Sequence, residues 1–543
     1  MTTNRTERLA ARIVRLADGD NSASRGFSRT LRRAFPDRWA MLFGHVAVFS
    51  FLLIFVSGVF LTWWFEPSMA TVKYSGGYVP LRGVEMSEAY ASTVNLSFEV
   101  RGGLLMRQIH AWATHVFVAA LSVHMLHIFF TGAFRGRRRV SWLIVLGLLV
   151  VGMVEAYTGN ALPDDMLTGT GLRVTEGVML AIPIIGTHAA ALLFGGEFPG
   201  DDIISRLNTV HVYVLPALMI ALFAVLVLHA RRQQRAADTA ADTAADTAAG
   251  TTTSGRGSDR RGSTVALFPD HPVKVVGLGF IVSGVIVIMA ATLQINPVWL
   301  WGPFDAAQAF AGSQPPWYFG FLDGGLRLTP PWDLDLMGHE LNLSVLIPAM
   351  VVPGLMLTAL AAYPWIEQLA TGARPDPLRL DRPRDMPVRT GLGVAFVVFY
   401  LVLWIAGGND ILATVIEVPL NWITRFLQVG AIVLPVVAFW ITKRICLGLQ
   451  RRERDEVLHG RASGVIVVSS SGAFSEVHTQ LSAFDAQVRT PRWTVPDPGS
   501  ATDANGVVNP HYRAARRRAR LARFYFADLV ASQEVDCDER PAA

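Results

Sequence analysis

Charge is scarce in this chain. Only 17% of its 543 residues are Asp, Glu, Lys or Arg, whereas 51% are hydrophobic. So apolar a chain of this length reads as a polytopic membrane protein and not as a water-soluble globule. Cysteine is scarcer still, with Cys446 and Cys537 the only two. Without a CxxC pair there is no thiolate set for zinc or an iron–sulfur cluster, and without CxxCH no thioether attachment of a cofactor. The N-terminal segment 1–39 is rich in arginine and has no apolar run, so no cleavable signal peptide is expected. The net charge of +5 sits in particular loops, which points to membrane topology and away from nucleic acid.

What is present is a series of long apolar stretches. Spans are expected at about 41–64, 104–130, 142–157, from 207 to the basic 230–235, and at 275–293, 343–363, 391–405 and 426–446. The segment 158–202, with its Gly, Pro and carboxylates, reads as interfacial helices. RGRRRV (135–140), ARRQQR (230–235) and KRICLGLQRRER (443–454) each follow an even-numbered span. The positive-inside rule then places both termini in the cytoplasm. The triple AADT repeat opens a low-complexity linker, 236–265, expected to be disordered. Residues 451–543 read as a polar cytoplasmic tail.

Four histidines lie in the second span. His110 and His124 are 14 residues apart (124 − 110). On a helix that is about 21 Å of rise and about 40° short of four full turns, so both face nearly one way. A histidine inside a span is costly and usually functional, and neutral imidazole is an axial ligand of haem iron. Two at this spacing suggest two haems stacked across the membrane. Gly44 and Gly58 in the first span repeat the interval (58 − 44), which suggests room for a haem edge at each level, although ordinary helix packing uses glycine too. His115 lies on another face and reads as a packing residue; for His45 and His188 the sequence pattern suggests no ligand role. Asp270 and His271, at the start of the fifth span, are either a proton relay or a helix cap.

The ordered segments RGGLLMRQIH, FFTGAFR, GNALPDD, LFGGEFPG, QINPVWL, GSQPPWYFGFLDGGLRL and AFWITKRICL run nearly end to end. Through them the chain resembles the cytochrome b subunit of the actinobacterial quinol–cytochrome c reductase. The resemblance implies an all-α, polytopic membrane bundle of about eight transmembrane helices, the first four forming a dihaem four-helix core over 41–235. The C-terminal membrane part, 266–450, would carry the quinol-pocket loop. It implies two b haems: an outer one on His110 and His211, with Arg107 on a propionate, and an inner one using His124, with Gly44 and Gly58 facing the two haems. Quinol, as menaquinol, would be oxidised beside Trp317 and Tyr318. The implied partners are a Rieske-type iron–sulfur subunit and a cytochrome c-type subunit, in a dimeric complex in the lipid bilayer, with no nucleic acid.

Three positions depart from the family pattern. Aligned on Pro216, the inner-haem partner of His124 is Leu226, which cannot ligate iron. The propionate arginine three residues after His124 is His127. The acid of the quinol-oxidation motif is Pro316, within Pro315-Pro316-Trp317-Tyr318. One reading is a remodelled inner site, with His127 or His124 set against His229. The other is an inner haem that is lost or five-coordinate. The corresponding functional alternatives are a working quinol oxidoreductase and a diverged one-haem conduit or scaffold. With Pro316 in the motif, Gln314 is neutral and Asp323 lies further along the chain as a substitute base.

Overall fold

The computed structural model describes residues 34–36, 42–249, 264–266, 270–308, 310, 313–336, 339–371, 380–482, 485–486, 489, 495–502 and 509–529. The basic segment 1–33 and the linker 250–263 therefore lie outside the described residues. Among those described, eight helices are long and apolar enough to cross a membrane: Leu42–Thr62, Gly103–Thr131, Gly136–Ala161, Ile203–Gln233, Val273–Thr292, Leu343–Thr371, Pro387–Ala406 and Leu420–His459. The fold is a mostly helical, multi-pass membrane bundle, as the hydropathy pattern indicates. Large apolar side chains such as Leu52, Val56, Phe280 and Ile432 are more than half exposed. That suits a protein whose solvent is hydrocarbon.

The chain divides into two compact units, one comprising residues 1–125, 144–180 and 184–313, the other 126–143, 181–183 and 314–543. In the first unit, the helix Glu88–Phe98 starts at Ser87, whose side chain accepts from the Tyr90 N–H, a standard N-cap. After the third span come the short helices Met166–Leu180 and Gly186–Phe194. The fourth span opens with Ile203–Thr209 and loosens into a π-turn over Val210–Val214 before the helix Leu215–Ala249. Pro216 has no N–H to continue the α-ladder, and a one-turn widening absorbs the loss. The helix continues to Ala249 and so takes in the AADT repeat, where the sequence suggested disorder from 236. Alanine's helix propensity outweighs the low complexity there.

In the second unit, the helix Gly320–Leu328 lies directly against the seventh span. A Cβ on Gly324 would come within 1.7 Å of the Leu403 carbonyl oxygen, so only glycine permits this approach. Arg135 and Arg389 share the carboxylates of Glu367 and Asp381. Arg389 reaches Glu367 at 3.2 Å and Asp381 at 3.0 Å, and Arg135 reaches Glu367 at 2.9 Å. Arg389 and Glu367 are 0% and 2% exposed, so this is a buried ion cluster. Arg135, the first residue of a block that reads as solvated topology signal, is thus a structural residue. The tail is also more ordered than its polarity suggests. Arg461–Val468 pairs antiparallel with Phe474–Thr479. Helix Tyr512–Phe526 buries Ala519 and packs Ala522, Tyr525 and Phe526 into one cluster with Ala370, Met386 and Val388.

Candidate functional site

The second and fourth spans bring His110 and His211 together. Their ring centroids are 6.1 Å apart, at 77° between planes. Each ring is held by the span before it. The His110 Nδ1 lies 3.1 Å from the Ile54 carbonyl oxygen and 3.1 Å from Ser57 Oγ. The His211 Nδ1 lies 3.1 Å from the Glu155 carbonyl oxygen and 3.4 Å from Thr158 Oγ1. A carboxylate oxygen of Glu155 stands 3.2 Å from the same nitrogen. Donation from Nδ1 to a carbonyl oxygen sets the tautomer and leaves Nε2 of each ring able to ligate a metal.

Glycine makes the space. A Cβ on Gly58 would be 3.2 Å from His110 Cε1, and one on Gly159 only 2.3 Å from His211 Cε1. Any side chain at Gly159 would displace the imidazole. Gly44 stands in the same relation to His124, its Cβ position 3.5 Å from His124 Cε1. Hence both glycines singled out by their spacing do face the two histidines of the second span.

Arg107, one turn before His110, donates from Nη2 to the Asn296 carbonyl at 2.5 Å, and its guanidinium carbon is 6.0 Å from the centre of the Trp299 ring. Its Nη1 is buried with no hydrogen-bond partner. Beside it, Gln108 clamps the Ile295 backbone, donating to its carbonyl at 2.8 Å and accepting from its N–H at 2.9 Å.

These features fit a haem. A metal bound to two imidazole nitrogens at about 2 Å each leaves the ring centres roughly 6 Å apart. The glycines leave the flat space a porphyrin edge requires. The unpaired Nη1 of Arg107 suits a propionate, because a buried guanidinium N–H without an acceptor is otherwise costly.

His124 faces Gly44. The His229 Nε2 lies 2.7 Å from the Gln233 Nε2, one turn on in its own helix. His115 packs edge-on to Trp112 with centroids 6.0 Å apart, in keeping with a packing role. The backbone at Asp270 and His271 is helical, but their side chains lie outside the described residues.

In the second unit, Trp317–Phe319 forms a 3₁₀ turn entered from Pro316, whose carbonyl accepts from the Phe319 N–H at 2.8 Å. The Trp317 and Tyr318 rings meet edge to face at 5.7 Å, and Tyr318 is buried. Just before this turn, the Gln314 Nε2 approaches the two Asp410 oxygens at 3.5 and 3.4 Å. Arg327 bridges Asp410 and Asp323, at 2.9 Å to each. Burial raises the Asp323 carboxyl above its ordinary range, against the pull of Arg327. Burial also works to raise Asp410, but Arg327 and the Ile411 N–H outweigh it and hold that carboxyl low.

Ser57, Glu155, Thr158, Gly159 and Asp410 were not evident from the sequence. For the first four a signal existed. Gly58 precedes His110 by 52 residues (110 − 58), and Gly159 precedes His211 by 52 (211 − 159). Ser57 and Thr158 each precede their histidine by 53, and Ile54 and Glu155 by 56.

Fold and site together define a multi-pass membrane protein with a bis-histidine site suited to haem in its first four spans. The chain belongs to the family of cytochrome b subunits of cytochrome bc1 complexes. Residues 115–303 match the family model described as cytochrome b(N-terminal)/b6/petB. The cytochrome bc1 complex cytochrome b subunit of Streptomyces coelicolor is 43% identical over 523 residues, covering 95% of this chain and 92% of the relative. That of Corynebacterium diphtheriae is 40% identical over 478 residues, covering 88% and 85%. That of Mycobacterium tuberculosis (strain H37Rv) is 40% identical over 466 residues, covering 85% and 81%. Among solved structures, a chain of a hyperthermophilic respiratory Complex III superposes with a TM-score of 0.55 at 18% identity, covering 80% of this chain and 100% of that one, a likeness of fold.

Proposed function

We propose that this chain is the quinol-oxidising, haem-b subunit of a quinol–cytochrome c reductase. It would work beside a Rieske-type iron–sulfur subunit and a cytochrome c-type subunit, in a dimeric complex with both termini in the cytoplasm. The observation that carries the reading is the His110–His211 pair, 6.1 Å between ring centres, each Nδ1 within 3.1 Å of a backbone carbonyl.

Oxidising a quinol to a quinone removes two electrons and two protons. One electron would go to the iron–sulfur partner and the other to the haem. When bound, the haem supplies the one-electron acceptor for the second. His110 and His211 would hold it by Nε2, Arg107 would meet a propionate through Nη1, and Gly58 and Gly159 would leave room for its edge.

The protons are handled in the second unit. Menaquinol would lie against Trp317. Pro316 has neither a side-chain acceptor nor an N–H, so the proton must go elsewhere. Gln314 turns its amide nitrogen to Asp410 and so leaves its own carbonyl oxygen to accept from a quinol hydroxyl. Asp410 and Asp323, joined by Arg327, then serve as the proton-accepting pair. The burial that raises Asp323 brings it closer to a working base at neutral pH. This pair favours retained quinol oxidation over the diverged conduit.

The test is quinol–cytochrome c turnover by the purified complex. Turnover that is lost with His110→Ala supports the reading. A complex in which His110→Ala turns over like the unmutated protein refutes it.

A further inference from the structure

The first four spans carry an internal repeat that is complete at one level and broken at the next. An offset of 101 residues maps Ser57, Gly58 and His110 onto Thr158, Gly159 and His211 (158 − 57, 159 − 58, 211 − 110). The mapped residues make the same contacts. A hydroxyl and a backbone carbonyl meet each Nδ1, and a glycine meets each Cε1.

The second level lies 14 residues along each span, at Gly44 and His124. The same offset takes Gly44 to Val145. It takes His124 to 225, and the π-turn Val210–Val214 adds one residue beyond His211, so the position facing as His124 does is Leu226. The structure keeps one half of this level, with Gly44 bare against His124. The other half is aliphatic. Val145 is 2% exposed, a packed side chain where the first level has glycine. The first level shows how little room there is, since one Cβ on Gly159 would stand 2.3 Å from His211 Cε1. Leucine has no lone pair to offer a metal.

His229 does not repair the half-site. It comes three residues after Leu226, about 60° away around the helix. Its Nε2 is 2.7 Å from the Gln233 Nε2.

We infer that the chain holds one bis-histidine haem, on His110 and His211, and that the level of His124, Gly44, Val145 and Leu226 is a closed half-site that takes none. This rests on the haem reading of the first level given under Proposed function.

The experiment is to purify the complex that contains this chain and measure acid-extractable haem b per copy of the chain. One is expected. Two overturns the inference and leaves the first site standing, and none overturns both. The double variant Val145→Gly, Leu226→His should raise the content from one to two and add a second α-band. A double variant that keeps the original band but stays at one shows that these residues are not the block, and overturns the inference. His229→Ala should leave the content at one, and loss of haem in that variant also overturns it.

Discussion

Glu155 meets His211 twice, with its backbone carbonyl oxygen 3.1 Å and its carboxylate oxygen 3.2 Å from Nδ1. The equivalent residue beside His110 is Ile54, which offers only its carbonyl. As axial ligands the two imidazoles would therefore differ in electronic character. A carboxylate on the distal nitrogen makes an imidazole a stronger donor and favours the oxidised metal.

Glu155→Gln should therefore raise the midpoint potential of the haem. If the carboxylate changes the ratio of affinities for the two oxidation states tenfold, the shift is about 59 mV. A redox titration of the α-band measures it. An unchanged potential would mean that the carboxylate does not act on His211.

Gly159→Ala should cost haem more severely than Gly58→Ala. Their Cβ atoms would stand 2.3 and 3.2 Å from the nearest imidazole carbons. The first forces His211 out of place and the second asks for a few tenths of an ångström. Haem per chain in the two variants checks the order.

Asp410→Asn should slow quinol oxidation by about 10²-fold or more, mainly in kcat, within the range of about 10²–10⁴ that general-base help supplies. Pro316→Asp should raise the rate and rescue Asp410→Asn, since it restores an acceptor at the turn itself. If neither variant changes the rate, the proton leaves by another route.

Asp164 makes stability depend on pH. Burial pushes its carboxyl up to about 7; the Ser87 hydroxyl, donating at 2.6 Å, opposes this and Asp165 adds to it. In the unfolded chain the carboxyl ionises near 3.8. Between those values the folded state binds more protons, so stability falls as pH rises through the window. Thermal melting at pH 5 and pH 8 should show this loss, and Asp164→Asn should flatten it.

Arg389→Met should destabilise the second unit. It leaves Glu367, 2% exposed, with one cation fewer. Breaking a buried pair costs about 3–5 kcal/mol, to be read as a lower melting temperature of the assembled protein.

Hydropathy made the spans legible, because hydrocarbon selects composition over some twenty residues at a time. Gly44, Gly58, His110 and His124 were legible because a helix repeats its face at that interval. Asp410 was not, and Glu155 was legible only through the 56-residue interval it shares with Ile54. Glu155 reads as a stray carboxylate near the end of a span, and Asp410 reaches Gln314 across 96 residues. Such pairings are tertiary facts that no local pattern records. The helix Tyr512–Phe526 was hidden differently: its arginines dominate the composition and mask the buried stripe of Ala519, Ala522, Tyr525 and Phe526. The π-turn at His211 was foreshadowed only by Pro216.

Ligation of one haem b by His110 and His211 can be tested directly. The most direct measurement is the reduced-minus-oxidised spectrum of His110→Ala and His211→Ala in the assembled complex, with full assembly checked by subunit content. Each variant should lose the b-type α-band. A band of unchanged position and height in either variant would contradict it.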